Sequence, residues 1–257
     1  MQIGLQTFTI RKLMRTPQAL DAAFGQVAAL GIQNLELAVG YIPFPFTVAT
    51  ARMIRGAADR HGLRVTSCQI KYETAAADVP ATLAYMRELG AQILVNSVID
   101  LKLLNRGEAG LLRYCGMLDT LKEKLAAGGV ELAHHNHHYE FLRMGNQNVL
   151  AFMAAHSRVG FALDTYWTQR GGGSVPALLE ELEGRVPVLH LRDFTITRRG
   201  LITGGTDCAC GQGNIPFGAV LRAAEAAGVR WGMIEQKTKT PLESAGVSAD
   251  YFNLNGR

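Results

Sequence analysis

At 257 residues the chain has the length that one alternating β/α barrel occupies, roughly 250 residues. Hydrophobic residues make up 48% of it and charged residues 19%, enough to fill a large core, which excludes an intrinsically disordered protein. The net charge of +4 is mild and its Lys and Arg residues are dispersed, apart from Arg198-Arg199 and Lys237 to Lys239, so the extended basic track of a nucleic-acid binder is absent from the sequence.

From the amino terminus, the segment MQIGLQTFTIRK lacks the apolar run of a secretory leader. No later segment approaches the roughly 18 unbroken apolar residues of a membrane span, so no membrane partner and a cytoplasmic location are expected. Short β-rich runs then alternate with longer stretches of helical period, the pattern of βαβ units. Strands are predicted near residues 3–7, 34–38, 64–69, 93–95, 131–135, 159–163, 188–191 and 231–233. Gly31, Gly62, Gly90, Gly129 and Gly228 each stand a few residues before one of these runs, where a left-handed helix cap is expected. Helices are predicted over 19–30, 112–127 and 217–227, the last after Pro216. No linker interrupts the pattern, so one α/β domain over 1–257 is expected. A barrel is preferred to an open doubly wound sheet, because no dinucleotide glycine fingerprint follows the first strand.

In such a barrel the chemistry belongs at the carboxyl ends of the strands. The fifth run ends in His134-His135-Asn136-His137-His138-Tyr139-Glu140, which holds four of the seven histidines. The sixth ends in Asp164, the seventh contains His190-Leu191-Arg192-Asp193, and the eighth ends in Glu235-Gln236. Four consecutive strands thus bring a carboxylate or imidazole to one rim, an oxygen and nitrogen set that suits Mn²⁺, Mg²⁺, Co²⁺ or Zn²⁺. Asp164 alone could equally cap the following helix, and His190 alone could be a satisfied core histidine. His135 and His137 share one face of an extended strand while His134, Asn136 and His138 take the other. Cys208-Ala-Cys210 lacks the second ligand pair of a structural zinc site, and Cys68 and Cys115 read as buried thiols.

Taken in order, "HHNHHYEF", "ALDTYW", "VLHLRDF", the Gly-Gln-Gly-Asn-Ile segment at 211–215 and "MIEQ" resemble the sugar phosphate isomerase/epimerase family, as do the second-strand pattern ending in Glu36 and the closing Ser248-Ala249-Asp250-Tyr251-Phe252. The resemblance implies a single (β/α)8 TIM barrel of the xylose isomerase-like kind. It also implies one divalent metal ion held by Glu140, Asp164, His190 and Glu235, with ketose epimerisation, aldose–ketose isomerisation or dehydration of keto-sugars and keto-inositols among its members' reactions. The sequence departs from the family's well-studied epimerases in the fifth strand, where the place of their ligand Glu falls at His134; His135 or His137 then shares or replaces the ligand role of Glu140.

The expected chemistry is proton transfer through a metal-bound enediolate. Glu235 or Glu140 would act as base, with a histidine such as His135 or His137 returning the proton. Lys71, Trp167 and Arg192 are expected to contact a sugar or polyol substrate, phosphorylated or not. A dehydratase with the same site is the alternative, followed by a non-catalytic sugar-binding barrel and an abasic-site endonuclease. Homo-oligomerisation is compatible with all of these.

Overall fold

The computed structural model describes residues 1–199 and 202–255. Eight parallel strands, β1 Gln2–Gln6, β2 Asn34–Ala38, β3 Arg64–Ile70, β4 Ile93–Asn96, β5 Glu131–His135, β6 Gly160–Asp164, β7 Val188–Leu191 and β8 Trp231–Ile234, pair in sequence order. The sheet closes where β8 lies beside β1, in register from Gln2 with Trp231 to Leu5 with Ile234. The expected barrel is thus the observed one, and every predicted strand falls within a residue or so of its place.

Alternation along the strands divides the core in two. Ile93, Val95, Ala133, Ala162, Val188 and Met233 point inward and fill the barrel. Their neighbours Leu94, Leu132, Phe161, Leu163, Leu189 and Ile234 point outward and pack under the helices. Among those helices, Pro17–Ala29 and Phe217–Ala226 lie within two residues of their predicted spans, while Gly107–Ala126 begins five residues before the predicted start. The five glycines expected to end helices all adopt positive φ. Gly90 shows why: with φ of 76° it turns the chain out of helix Val79–Leu89 while its N–H still reaches the carbonyls of Met86 and Arg87, a geometry costly for any side chain with a Cβ.

Two features beside the barrel mouth were not predicted. After β7 the chain runs into an antiparallel hairpin, Asp193–Arg199 with Ile202–Cys208, that stands at the carboxyl end of the barrel. After β5 it turns into a short 3-10 helix, His138–Phe141. Among the described residues no helix is long and apolar enough to cross a membrane.

Candidate metal centre at the barrel mouth

The inward alternation that fills the barrel continues one step further on each of the last four strands. Two residues beyond inward Ala133, Ala162, Val188 and Met233 stand His135, Asp164, His190 and Glu235. Their side chains therefore enter the same space. One donor atom from each lies within 4.8 Å of all the others, and all four residues are buried.

Their hydrogen bonding is incomplete in a consistent way. Both ring nitrogens of His135, Asp164 Oδ2, His190 Nδ1 and Glu235 Oε2 are buried without a hydrogen-bond partner. Such atoms are costly in a protein interior unless something satisfies them. His190 Nδ1 lies 3.0 Å from Glu235 Oε2, yet the pair lacks hydrogen-bond geometry, and His135 Nε2 stands 3.7 Å from Asp164 Oδ2. A divalent cation would satisfy four of these atoms together, one from each residue with one nitrogen of His135, and two imidazoles with two carboxylates form a donor set suited to first-row metals. Asp164 reconciles the two readings of its sequence position: Oδ1 accepts from Trp167 N at 2.7 Å as a helix cap, while Oδ2 is the orphan facing the cluster.

Glu36, the central residue of β2 and inward-facing between Leu35 and Leu37, supports the cluster from below. Its Oε1 accepts from His190 Nε2 at 2.7 Å and its Oε2 from the Ser67 hydroxyl at 2.7 Å, and it is fully buried. With Nε2–H committed to Glu36, the other ring nitrogen of His190 is presented to the centre, the arrangement in which a carboxylate orients a ligating histidine. Glu36 appeared in the sequence only as part of a second-strand pattern. The available signal was that a carboxylate after Leu35 on a fully buried strand needs a partner.

Electrostatics divide the cluster. Burial, aided by the neighbouring His190, lowers His135 to about 3, and burial likewise lowers His137 to about 4, so both rings are neutral with free lone pairs at neutral pH. For His190, burial is outweighed by Glu36 and Glu235, which raise it well above the usual imidazole value. Burial raises Asp164 to about 7, with the Glu235 charge adding to the effect. Glu235 resists burial through its contacts with His190 and Arg192 and settles at about 2. A proton and a metal ion therefore compete for the same place between His190 and its carboxylates.

Of the expected ligands, the structure brings Asp164, His190 and Glu235 together and completes the group with His135. Glu140 lies elsewhere. The strand ends at His135, and the 3-10 turn carries Glu140 back to the outer side of β5, where His134 Nε2 lies 3.0 Å from its Oε1 and the His137 N–H donates to its Oε2 at 2.8 Å. His134, the place matched to the epimerases' Glu, faces away from the cluster with Glu140 because inward Ala133 fixes the alternation.

The wall beside the cluster is aromatic. The His137 and His135 rings are 4.7 Å apart, and Trp167 lies 5.1 Å from the His137 ring and 5.2 Å from the His138 ring. Arg192 sits over Tyr166 at 4.3 Å, donates to both oxygens of Asp207 on the hairpin, and stands 3.7 Å from Glu235. Lys71 is exposed at the end of β3, just before helix Tyr72–Ala77. The 211–215 segment is a turn organised by buried Asp193, which accepts from the N–H groups of Gly211, Gly213 and Ile215. Cys210 is buried, with its thiol on the Leu191 carbonyl, and neither it nor Cys208 joins the cluster. The Arg199 side chain lies outside the described residues.

These features define a closed (β/α)8 barrel with a candidate metal centre at the carboxyl ends of its last four strands. Residues 24–253 match the family described as xylose isomerase-like TIM barrel, and the chain belongs to that family. No curated protein sequence matches it. Among solved structures, a sugar phosphate isomerase/epimerase from Parabacteroides distasonis ATCC 8503 superposes with a TM-score of 0.76 at 21% identity, over 98% of this chain and 97% of that one. D-allulose 3-epimerase from a Methylomonas species gives 0.68 at 13% identity, over 99% and 98%. The probable 3-DHS dehydratase AsbF from Bacillus anthracis gives 0.72 at 9%, over 98% and 99%. At these identities the likeness is one of fold.

Proposed function

We propose that this protein is a divalent-metal-dependent isomerase or epimerase acting on a ketose or related keto-sugar by proton transfer beside the carbonyl. The observation that carries this reading is the convergence of unpartnered buried donor atoms, one each from His135, Asp164, His190 and Glu235, at the barrel mouth. A divalent ion held there would act as a Lewis acid toward a carbonyl and its neighbouring hydroxyl, making the adjacent C–H more acidic. Glu235 is the carboxylate placed to take that proton. His137, neutral and beside His135, is the group placed to carry a proton on the other side. Trp167, only partly buried, offers a flat apolar face to the carbon skeleton. With Arg192 committed to Asp207 and Glu235, its contact with substrate would be made through an uncharged oxygen, which favours an unphosphorylated sugar.

Elimination is the second reading, favoured by one observation. With Glu140 held by His134, Glu235 is the one glutamate of the four-residue cluster, and a proton that it took from carbon could be passed on to a departing hydroxyl. The reaction class is tested by incubating metal-loaded protein with a panel of ketoses and keto-inositols in D₂O. Deuterium at carbon with retained mass balance is expected for isomerisation or epimerisation, and loss of water for dehydration. Binding without either would leave a non-catalytic sugar-binding barrel and overturn both readings.

A further inference from the structure

A buried polar chain lies between the barrel and helix Gly107–Ala126, outside the cluster. Asn96, at the outward end of β4, directs its amide nitrogen to the Val98 carbonyl at 3.2 Å, to the Tyr114 hydroxyl at 2.7 Å and to His134 Nδ1 at 3.0 Å. The Tyr114 hydroxyl donates its one hydrogen to the Val98 carbonyl at 3.2 Å and so accepts from Asn96, which leaves the second amide hydrogen for His134 Nδ1, the acceptor in the third contact. The proton of the ring therefore sits on Nε2 and is donated to Glu140 Oε1 at 3.0 Å. The second oxygen of Glu140 takes the backbone N–H of His137. Asn96, His134 and Glu140 are each fully buried.

We propose that Glu140 is a positioning residue: anchored by His134 and Asn96, its carboxylate holds the turn at 137–140 and so sets where His137 and His138 stand against Trp167 and the metal cluster. The chain leaves extended geometry after His137, and this carboxylate is the only side chain shown bonding the His137 N–H among the described residues. The turn it holds bears both rings that flank Trp167. The sequence resemblance made Glu140 a metal ligand; here it would act on the same site through the backbone. The proposal gives the proposed proton carrier its placement and otherwise stands on hydrogen bonds alone.

Histidine ring NMR tests it, with Zn²⁺ as the probe. In the wild-type protein His134 should show the Nε2–H tautomer and keep its shifts when Zn²⁺ is added, while His135 and His190 move. In Glu140→Gln, Zn²⁺ should still bind, the His138 ring protons should lose the upfield shift imposed by stacked Trp167, and the His137 signals should move. The Glu140→Gln side chain offers an amide donor where the carboxylate accepted, so pairing it with Asn96→Asp should reverse the His134 tautomer and restore the His138 shift. Loss of Zn²⁺ binding in Glu140→Gln, unmoved His137 and His138 signals there, or an Nδ1–H tautomer at wild-type His134 would each overturn the proposal. Failure of the wild-type protein to bind Zn²⁺ would overturn the metal reading instead, and the tautomer and the His138 shift would still decide the role of Glu140.

Discussion

Replacing Glu36 by Gln isolates the support beneath the centre, since it keeps the shape and one oxygen acceptor and removes a charge. Glu36 Oε1 and His190 Nε2 are 2.7 Å apart with neither side chain exposed, so their hydrogen bond is charge-assisted and unscreened by water. In Glu36→Gln the new amide can keep its oxygen on His190 and turn its nitrogen toward the Ser67 hydroxyl, which can accept. The loss is therefore chiefly electrostatic, through a less basic His190 and a less negative surrounding for the cation. Changes of this kind beside a ligating histidine weaken metal binding by about 10- to 100-fold, or about 1.4–2.7 kcal/mol. Chelator-competition titration with Zn²⁺ measures it directly, and far-UV circular dichroism should be unchanged. A dissociation constant equal to or tighter than wild type would refute the assignment of His190 as a ligand oriented by Glu36.

Three further outcomes are expected. Asp164→Asn keeps a good helix cap on Trp167 N, so the melting temperature of the metal-free protein should change little, while Zn²⁺ affinity falls; Cys208→Ser and Cys210→Ser should leave affinity intact, and a reversal of that contrast would move the site to the loop after the hairpin. Metal affinity should rise with pH: ligation requires deprotonated His190, raised well above its usual value, and deprotonated Asp164, raised to about 7, so binding releases about one proton above pH 7 and approaches two below it. Dissociation constants that do not vary between acidic and mildly alkaline buffers would contradict this. Gly213→Ala should lower the melting temperature by the equivalent of about 1–3 kcal/mol, because an added Cβ would run into the Phe194 carbonyl and crowd Asp193, the residue that organises the turn.

Much of the fold was legible because parallel barrel strands are buried on both faces and are entered from helices that end in glycine. Residues 34–38, 131–135 and 188–191 were read with the bounds that the structure gives them. The hairpin after β7 was missed because Gly204 and Gly205 dilute the second strand; the alternation of Phe194 and Ile196 with Thr195 and Thr197 was its one sequence signal. At the site, Asp164, His190 and Glu235 could be read because each ends an apolar run. The fifth strand could not be resolved, since "HHNHH" offers an imidazole to both faces. What decides it is small Ala133, inward among the barrel-filling side chains, which sends His135 to the cluster and His134 to the helices. Glu140 misled for a related reason: spacing along the chain says nothing of a 3-10 turn that folds a carboxylate back onto its own strand.

The central claim is tested most directly by a crystal structure of the protein grown with Mn²⁺ or Co²⁺, with anomalous scattering used to place the ion. The account predicts one strong anomalous peak about 2.0–2.3 Å from a nitrogen of His135, an oxygen of Asp164, Nδ1 of His190 and an oxygen of Glu235, with Glu140 still on His134. No peak within that cluster at saturating metal, or a peak bound by Glu140 and not by His135, would contradict it.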